Sequence, residues 1–292
     1  MFSLNGQSEI TKIESVLVKH LRDAWLNQEH IDFWWRKLNY PECPDFKKAE
    51  AEYEHFIGLL QELIPAVYEL PRSEKVSPDS LYPRDPVVIT KKGAILLNMG
   101  KQQRRSEAEA IGAYLKKMGI PILGSIIPPG TMEGGDLLWL DEKTVAVGLG
   151  YRTNSEGVRQ FRELTSGLVE QIIEVPLPHG NGPHECLHLM SIISPIDVDL
   201  AVVFSPLMVV PFRNYLLERG IKLIEVPPEE YERFACNILA CEPRKCIMVD
   251  GNPRTRKALE KEGVDILTYP GEEISIKGGG GPTCLTRPLV RG

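Results

Sequence analysis

The chain has 292 residues, 42% hydrophobic and 25% charged, which supports a large buried core in one or two domains and excludes disordered, collagenous and coiled-coil chains. Its net charge of −6, from 34 Lys and Arg against 40 Asp and Glu, is spread with mixed signs and offers no basic face for nucleic acid or an anionic membrane. A small molecule is the expected partner.

Taken in chain order, residues 1–13 carry Asn5, Gln7, Ser8 and Glu9 where a signal peptide needs an apolar run, so no export signal is expected. An apolar strand begins at Ser15, followed by the helix-like stretch Phe46 to Leu63 and a second strand ending near Tyr68. The same pattern returns at Ile95–Leu123, Val145–Val175, Ala201–Val226 and Cys246–Tyr269: strand, turn with Gly, Asn or Arg, amphipathic helix, Gly, strand. Five units in 292 residues leave about 58 each, with room for an extra strand pair between copies. One pseudo-symmetric α/β body is therefore predicted, a single domain over residues 1–292, with helices outside and strand-end loops meeting near a common axis. A two-domain doubly wound sheet fits the length but not the fivefold repeat, and no linker or charge block divides the chain. The longest apolar stretch, Leu200–Phe212, is broken by Ser205, Pro206 and Pro211 and is too short to span a bilayer. A cytoplasmic location is expected, where Cys43, Cys186, Cys236, Cys241, Cys246 and Cys284 would be thiols.

Four islands depart from the core pattern: Ser77–Pro86 (SPDSLYPRDP), Pro129–Asp136 (PGTMEGGD), His179–Ser191 (HGNGPHECLHLMS) and Lys277–Arg287 (KGGGGPTCLTR). Each joins Gly or Pro to an acid, His or Cys at a strand end, as a loop-built site does. Within the third, His184 to His188 matches HExxH, in which two histidines one helical turn apart hold zinc. Gly182 and Pro183 precede it and the residues after it are β-leaning; on a strand the two histidines would stand roughly 13 Å apart, so no zinc site is expected. Cys236, Cys241 and Cys246 recur every fifth residue, which is not zinc-ribbon spacing, and read as core thiols. Gly278–Gly281 lack the Lys-Ser/Thr and the helix of a phosphate loop, and read as backbone that lets a ligand approach Cys284.

A nucleophilic cysteine needs a thiolate, a proton shuttle and groups that fix the electrophile. Cys284 and His188 supply the first two. The acids Asp85, Glu133 and Asp136 oppose a thiolate unless the substrate is itself a cation, and a guanidinium meets that condition because carboxylates grip its N–H pairs.

Together, Asp85 in LYPRDP, EGGD at Glu133–Asp136, HLMS at His188–Ser191 and GGGPTCLT around Cys284 resemble the guanidine-modifying superfamily of arginine deiminases, dimethylarginine dimethylaminohydrolases and amidinotransferases. The motifs run in the superfamily's order and the resemblance covers nearly the whole chain. It implies a five-bladed α/β propeller of ββαβ repeats, in agreement with the repeat count. It also implies Cys284 as nucleophile, His188 as general acid and base, Glu133 and Asp85 as holders of the guanidinium, and Asp136 as an orienting acid. Arg152, in the segment Arg152-Thr153-Asn154, and Arg104, in the turn of the second repeat, resemble arginines that bind the substrate α-carboxylate. Asp79, six residues before Asp85, resembles a further substrate-contacting acid of the dimethylarginine enzymes.

Two features point in different directions. Arginine deiminases and amidinotransferases place an Asp two residues after the catalytic His, where this chain has Met190, an apolar wall suited to an N-alkyl group. Arg84-Asp85-Pro86, by contrast, looks more like the deiminases. His184 and His179 are rival bases but lack the HLxS setting. The expected activity is a dimethylargininase-like cysteine hydrolase of a guanidino compound, working through an S-alkylthiouronium on Cys284 to a citrulline-type product, with no cofactor or metal. Arginine deiminase, amidinotransferase and a non-catalytic binding member are the alternatives, and the oligomeric state stays open.

Overall fold

The computed structural model describes residues 4–292, and among them fifteen strands form five three-stranded sheets with one shared connection. In the unit nearest the first island, Val87–Thr90 turns back antiparallel onto Gly93–Leu96. The helix Glu107–Lys117 then crosses over, and Ile122–Ser125 returns parallel to Gly93–Leu96. Leu137–Trp139, Thr144–Leu149 and Gln171–Pro176 repeat the arrangement around the helix Ser155–Leu164. Ile193–Asp197, Leu200–Val203 and Lys222–Glu225 do so around Val210–Glu218. Leu239–Glu242, Lys245–Val249 and Asp265–Tyr269 do so around Pro253–Lys261. The fifth sheet joins both ends of the chain: Arg287–Arg291 pairs antiparallel with Ile13–Lys19, which pairs parallel with Ala66–Leu70 after the helix Phe46–Leu63. This is a five-bladed pseudo-symmetric α/β propeller of ββαβ units, and the five repeats quoted from the sequence fall one to each blade.

The local chemistry accounts for the repeat. Strands such as Val87–Thr90 and Leu200–Val203 are buried along their whole length, which is why they read as unbroken apolar runs rather than alternating ones. The helix Phe46–Leu63 starts on Asp45, whose Oδ1 accepts from the Lys48 amide at 3.0 Å, and buries Ala49, Tyr53, Phe56, Ile57 and Leu60 on one face. In four of the five blades a glycine before the returning strand is the helix stop: Gly119, Gly167, Gly220 and Gly263 have φ of 77°, 73°, 76° and 76°, the left-handed conformation that a side chain disfavours. Apolar clusters fill the space between neighbouring blades, for example Val88, Ile95 and Leu97 of one blade with Leu137, Trp139, Val145 and Phe161 of the next. Among the described residues, no helix is long and apolar enough to cross a membrane.

Candidate active site

Each blade's first strand is entered by a loop, and the five entry loops carry the chemistry. Asp85 stands just before Val87, Glu133 and Asp136 before Leu137, His188 before Ile193, Asn237 before Leu239, and Cys284 before Arg287. The loops leaving two second strands add Lys101 with Arg104, and Arg152 with Thr153. A pseudo-fivefold fold thus brings equivalent loop positions to one end, where they surround a cavity of about 280 Å³. Cys284, His188, Asp85, Arg152, Arg104 and Asp79 line it. Glu133 and Asp136, fully buried, lie behind His188 and outside the lining.

His188 is the centre of the charge network. Its Nε2 lies 2.7 Å from Glu133 Oε2, and its Nδ1 faces Asp85 Oδ1 at 4.0 Å and the Cys186 thiol at 3.7 Å. Its backbone is fixed by a short 3-10 turn, with the His188 amide donating to Ser191 Oγ at 3.0 Å, which explains the HLMS spacing. Glu133 also accepts from Arg152 Nη1 at 3.1 Å and, through Oε1, from the Lys101 amide at 2.9 Å. Asp136 accepts from Thr153 Oγ1 at 2.6 Å and from the Leu189 amide at 3.0 Å, tying two entry loops together. The EGGD glycines serve this crowding: a Cβ on Gly135 would stand 2.4 Å from His188 Nδ1.

Burial works against every one of these charges, and the neighbours decide the outcome. Burial lowers the His188 pKa, but Cys186, Asp85 and Asp136 outweigh it and hold the imidazole well above its ordinary value. Burial likewise raises Glu133, yet the hydrogen bond to His188 and the charge of Arg152 bring it below the usual carboxylate range. Asp85 follows the same logic, lowered by His188 and Arg104 against burial. Asp136 is the exception, pushed up to about 6 by burial despite its partners. The half-buried Cys284 thiol is pushed up to about 11, first by burial and then by Asp85 and Cys186.

Arg104 is tied in place: Nη1 donates to Asp85 Oδ2 at 2.5 Å, Nε and Nη2 fork onto Glu107 at 3.0 and 2.8 Å, and Nη2 also reaches the Tyr82 carbonyl. Asp79 accepts from Tyr40 at 2.8 Å and pairs with Lys101 Nζ at 2.6 Å. The ligating atoms of Asp85, Glu133 and His188 lie within 4.8 Å of one another, a spacing that could hold a cation. His184 is exposed and is not among them.

Met190 departs from its expected place. It is buried outside the cavity, its Sδ 3.2 Å from Nη2 of Arg84, which in turn pairs with Glu9 at 2.6 Å. The turn after His188 points residue 190 into the core, so neither Met190 nor Arg84 is a substrate wall. The Gly278–Gly281 loop also has a packing reason beyond ligand approach, since a Cβ on Gly280 would meet the Tyr82 ring at 2.6 Å. Sequence reasoning missed Asn237, Cys186 and Lys101. Asn237 stands at the entry position of the fourth blade and donates to Cys284 Sγ at 3.7 Å, and aligning the five repeats by their entry loops would have found it.

The profile of the family described as N,N dimethylarginine dimethylhydrolase, eukaryotic, matches residues 25–291. An N(G),N(G)-dimethylarginine dimethylaminohydrolase of Pseudomonas aeruginosa is 28% identical over 246 residues, 83% of this chain and 89% of its own. An arginine deiminase of Listeria monocytogenes is 25% identical, covering 98% of this chain and 79% of its own. Among solved structures, the Pseudomonas aeruginosa enzyme complexed with citrulline matches with a TM-score of 0.74 and 24% identity over 96% of this chain and 100% of that one. An amidinotransferase of Microseira wollei matches with a TM-score of 0.79 and 17% identity over 99% and 98%, a likeness of fold. The chain therefore belongs to the N,N-dimethylarginine dimethylhydrolase family of the guanidine-modifying superfamily, and its class of chemistry is hydrolysis of amidine C–N bonds.

Proposed function

We propose that the protein is a dimethylargininase-like guanidino hydrolase working through a covalent bond to Cys284, with residues 1–292 as one catalytic domain. One observation carries this reading: a reachable thiol, an imidazole held in its charged form and a cavity-facing carboxylate converge from three blades on one cavity. Asp85 takes the guanidinium N–H donors. In the free protein burial and Asp85 keep Cys284 protonated. The bound cation offsets that penalty, the thiol proton passes to solvent water, and the thiolate forms a C–S bond at the guanidinium carbon.

His188, an imidazolium, gives its proton to the departing amine as the C–N bond breaks, leaving an S-alkylthiouronium and a neutral imidazole. His188 then takes a proton from water, whose oxygen adds to the same carbon. The C–S bond breaks, the thiolate returns and a citrulline-type ureido product leaves. Glu133 orients His188 through the 2.7 Å pair, and Asp136 fixes the loop that carries it. Arg152 and Arg104 face an arginine derivative's α-carboxylate and Asp79 its amine; the nitrogens of Arg104 are already engaged, which favours Arg152 as the freer partner. The citrulline held by the Pseudomonas aeruginosa enzyme supports a ureido product.

The test is incubation with Nω,Nω-dimethyl-L-arginine, assaying dimethylamine and citrulline, with rapid quenching and mass spectrometry for an adduct on Cys284. Both products in equal amounts and an adduct absent from Cys284→Ser are expected. Turnover without an adduct, or no ureido product from any of a panel of substituted guanidines, overturns the proposal.

A further inference from the structure

A second cavity, of about 270 Å³, lies away from Cys284, beside the helix Glu107–Lys117. Its wall is apolar, with Leu70, Val76, Ile111 and Tyr114 among the lining residues. Two polar groups on that wall are underused. Lys19 is 2% exposed, and its ammonium donates to the Pro71 carbonyl while no carboxylate among the described residues lies within ion-pair distance. Ser80, 8% exposed, has an Oγ with no hydrogen-bond partner among the described residues. A buried ammonium with one neutral acceptor, on the same cavity wall as an orphan hydroxyl, is a costly arrangement that an anion would relieve. Burial already pulls Lys19 down to about 8, with Arg72 adding to this and Asp23 opposing it.

The remaining charges on the wall do not cancel this. Lys75 pairs with Glu109 at the exposed mouth, Lys117 stands nearby, and Glu107 is neutralised by the fork from Arg104. Glu107 is also the link between the two cavities, because Arg104 continues from it to Asp85 at the substrate site.

We propose that this cavity is a regulatory site for a small apolar carboxylate, whose anion lies on Lys19 and Ser80 and whose body fills the apolar wall, and that it is coupled to the substrate site through Glu107 and Arg104. A carboxylate brought near Glu107 disfavours that residue's charge and loosens its hold on Arg104, so the ligand weakens substrate binding. Glu107 is poised for this, pushed up to about 7 by burial.

The test uses 3-phenylpropanoate as the probe, titrated calorimetrically into the full chain, with neutral 3-phenylpropanol as control. The expected result is 3-phenylpropanoate binding at least tenfold tighter than the alcohol. Lys19→Met, which keeps most of the side-chain length without the charge, and Ala110→Phe, which fills the cavity, should each weaken it at least tenfold. Ala110→Phe also serves if Lys19→Met fails to fold, and by itself it should leave kcat/KM within about twofold. No binding at millimolar probe, equal binding of the alcohol, or binding unchanged in Ala110→Phe overturns the site. In the kinetic arm, the probe should raise KM in the wild type but not in Ala110→Phe, and binding without a change in KM overturns the coupling. That arm rests on the guanidino-hydrolase reading, whereas calorimetry does not, so the two fail separately.

Discussion

The imidazole of His188 and the carboxylate of Glu133 meet at 2.7 Å with both side chains sealed from solvent. Arg152 stands on the other flank of Glu133, while Cys186, Asp85 and Asp136 hold the imidazole charged against its burial. In the proposed mechanism Glu133 would therefore act through His188 rather than from the cavity wall. Glu133→Gln should lower kcat by about 10² or more, the usual worth of general acid catalysis, while KM changes less than tenfold. It should also lower the pKa of His188, visible as an earlier basic limb in the pH profile of kcat. A variant with kcat within threefold of wild type would remove Glu133 from the mechanism.

The two cavity thiols should react in an order opposite to their expected roles. Cys186 has an exposed side chain, and His188 and Arg152 lower its pKa against burial, whereas Cys284 is pushed up to about 11. Since the thiolate is the reacting form, iodoacetamide at pH 8 should label Cys186 well before Cys284. A guanidinium compound that is not turned over should slow neither site by charge, and should speed Cys284 by stabilising its thiolate. Peptide mapping by mass spectrometry reads both rates. Labelling of Cys284 first, with no response to the cation, would contradict the thiol chemistry proposed.

Much of this was legible because the fold repeats. An apolar strand, a glycine-stopped helix and a returning strand are local patterns, so the five blades could be read from periodicity, and the reactive residues stood out as loops unlike core. What the sequence withheld was direction. Two residues after His188 lies Met190, yet a single 3-10 turn sends it to Arg84 rather than to the cavity. Asn237 carries no motif of its own, and only its place at the entry of a blade brings it to Cys284. The fork of Glu107 on Arg104 was likewise hidden, because an acid in the first turn of a helix reads equally well as a solvated charge.

Met190 supplies a direct check of this geometry. Were it a specificity wall, Met190→Asp would move preference from N-substituted guanidines toward arginine. In the structure the new carboxylate would instead meet Arg84, adding an acid to a buried region where Arg84 has Glu9 as its carboxylate partner. The ratio of kcat/KM for dimethylarginine to that for arginine should stay within threefold of wild type. A shift of tenfold or more toward arginine would place Met190 at the substrate after all.

Asp136 offers a prediction in pH. Burial pushes its pKa in the fold up to about 6, above the ordinary aspartate value of 3.8, so between those values the folded protein holds a proton that the unfolded chain has lost. Stability from this group is therefore fully present below 3.8 and falls as pH rises through 6, the reverse of Glu133, whose lowered pKa costs stability only on acidification. Asp136→Asn removes the titration while Asn can still accept from the Leu189 amide and donate to Thr153 Oγ1. Measured by urea unfolding, the variant should gain roughly 1–2 kcal/mol relative to wild type between pH 5 and pH 7.5, whatever its offset at pH 5. Working above pH 5 keeps the Glu133 titration out of the comparison. A difference between the two proteins that stays constant across that window would mean that Asp136 is ionised in the fold throughout, held by Thr153, Leu189 and His188 against its burial.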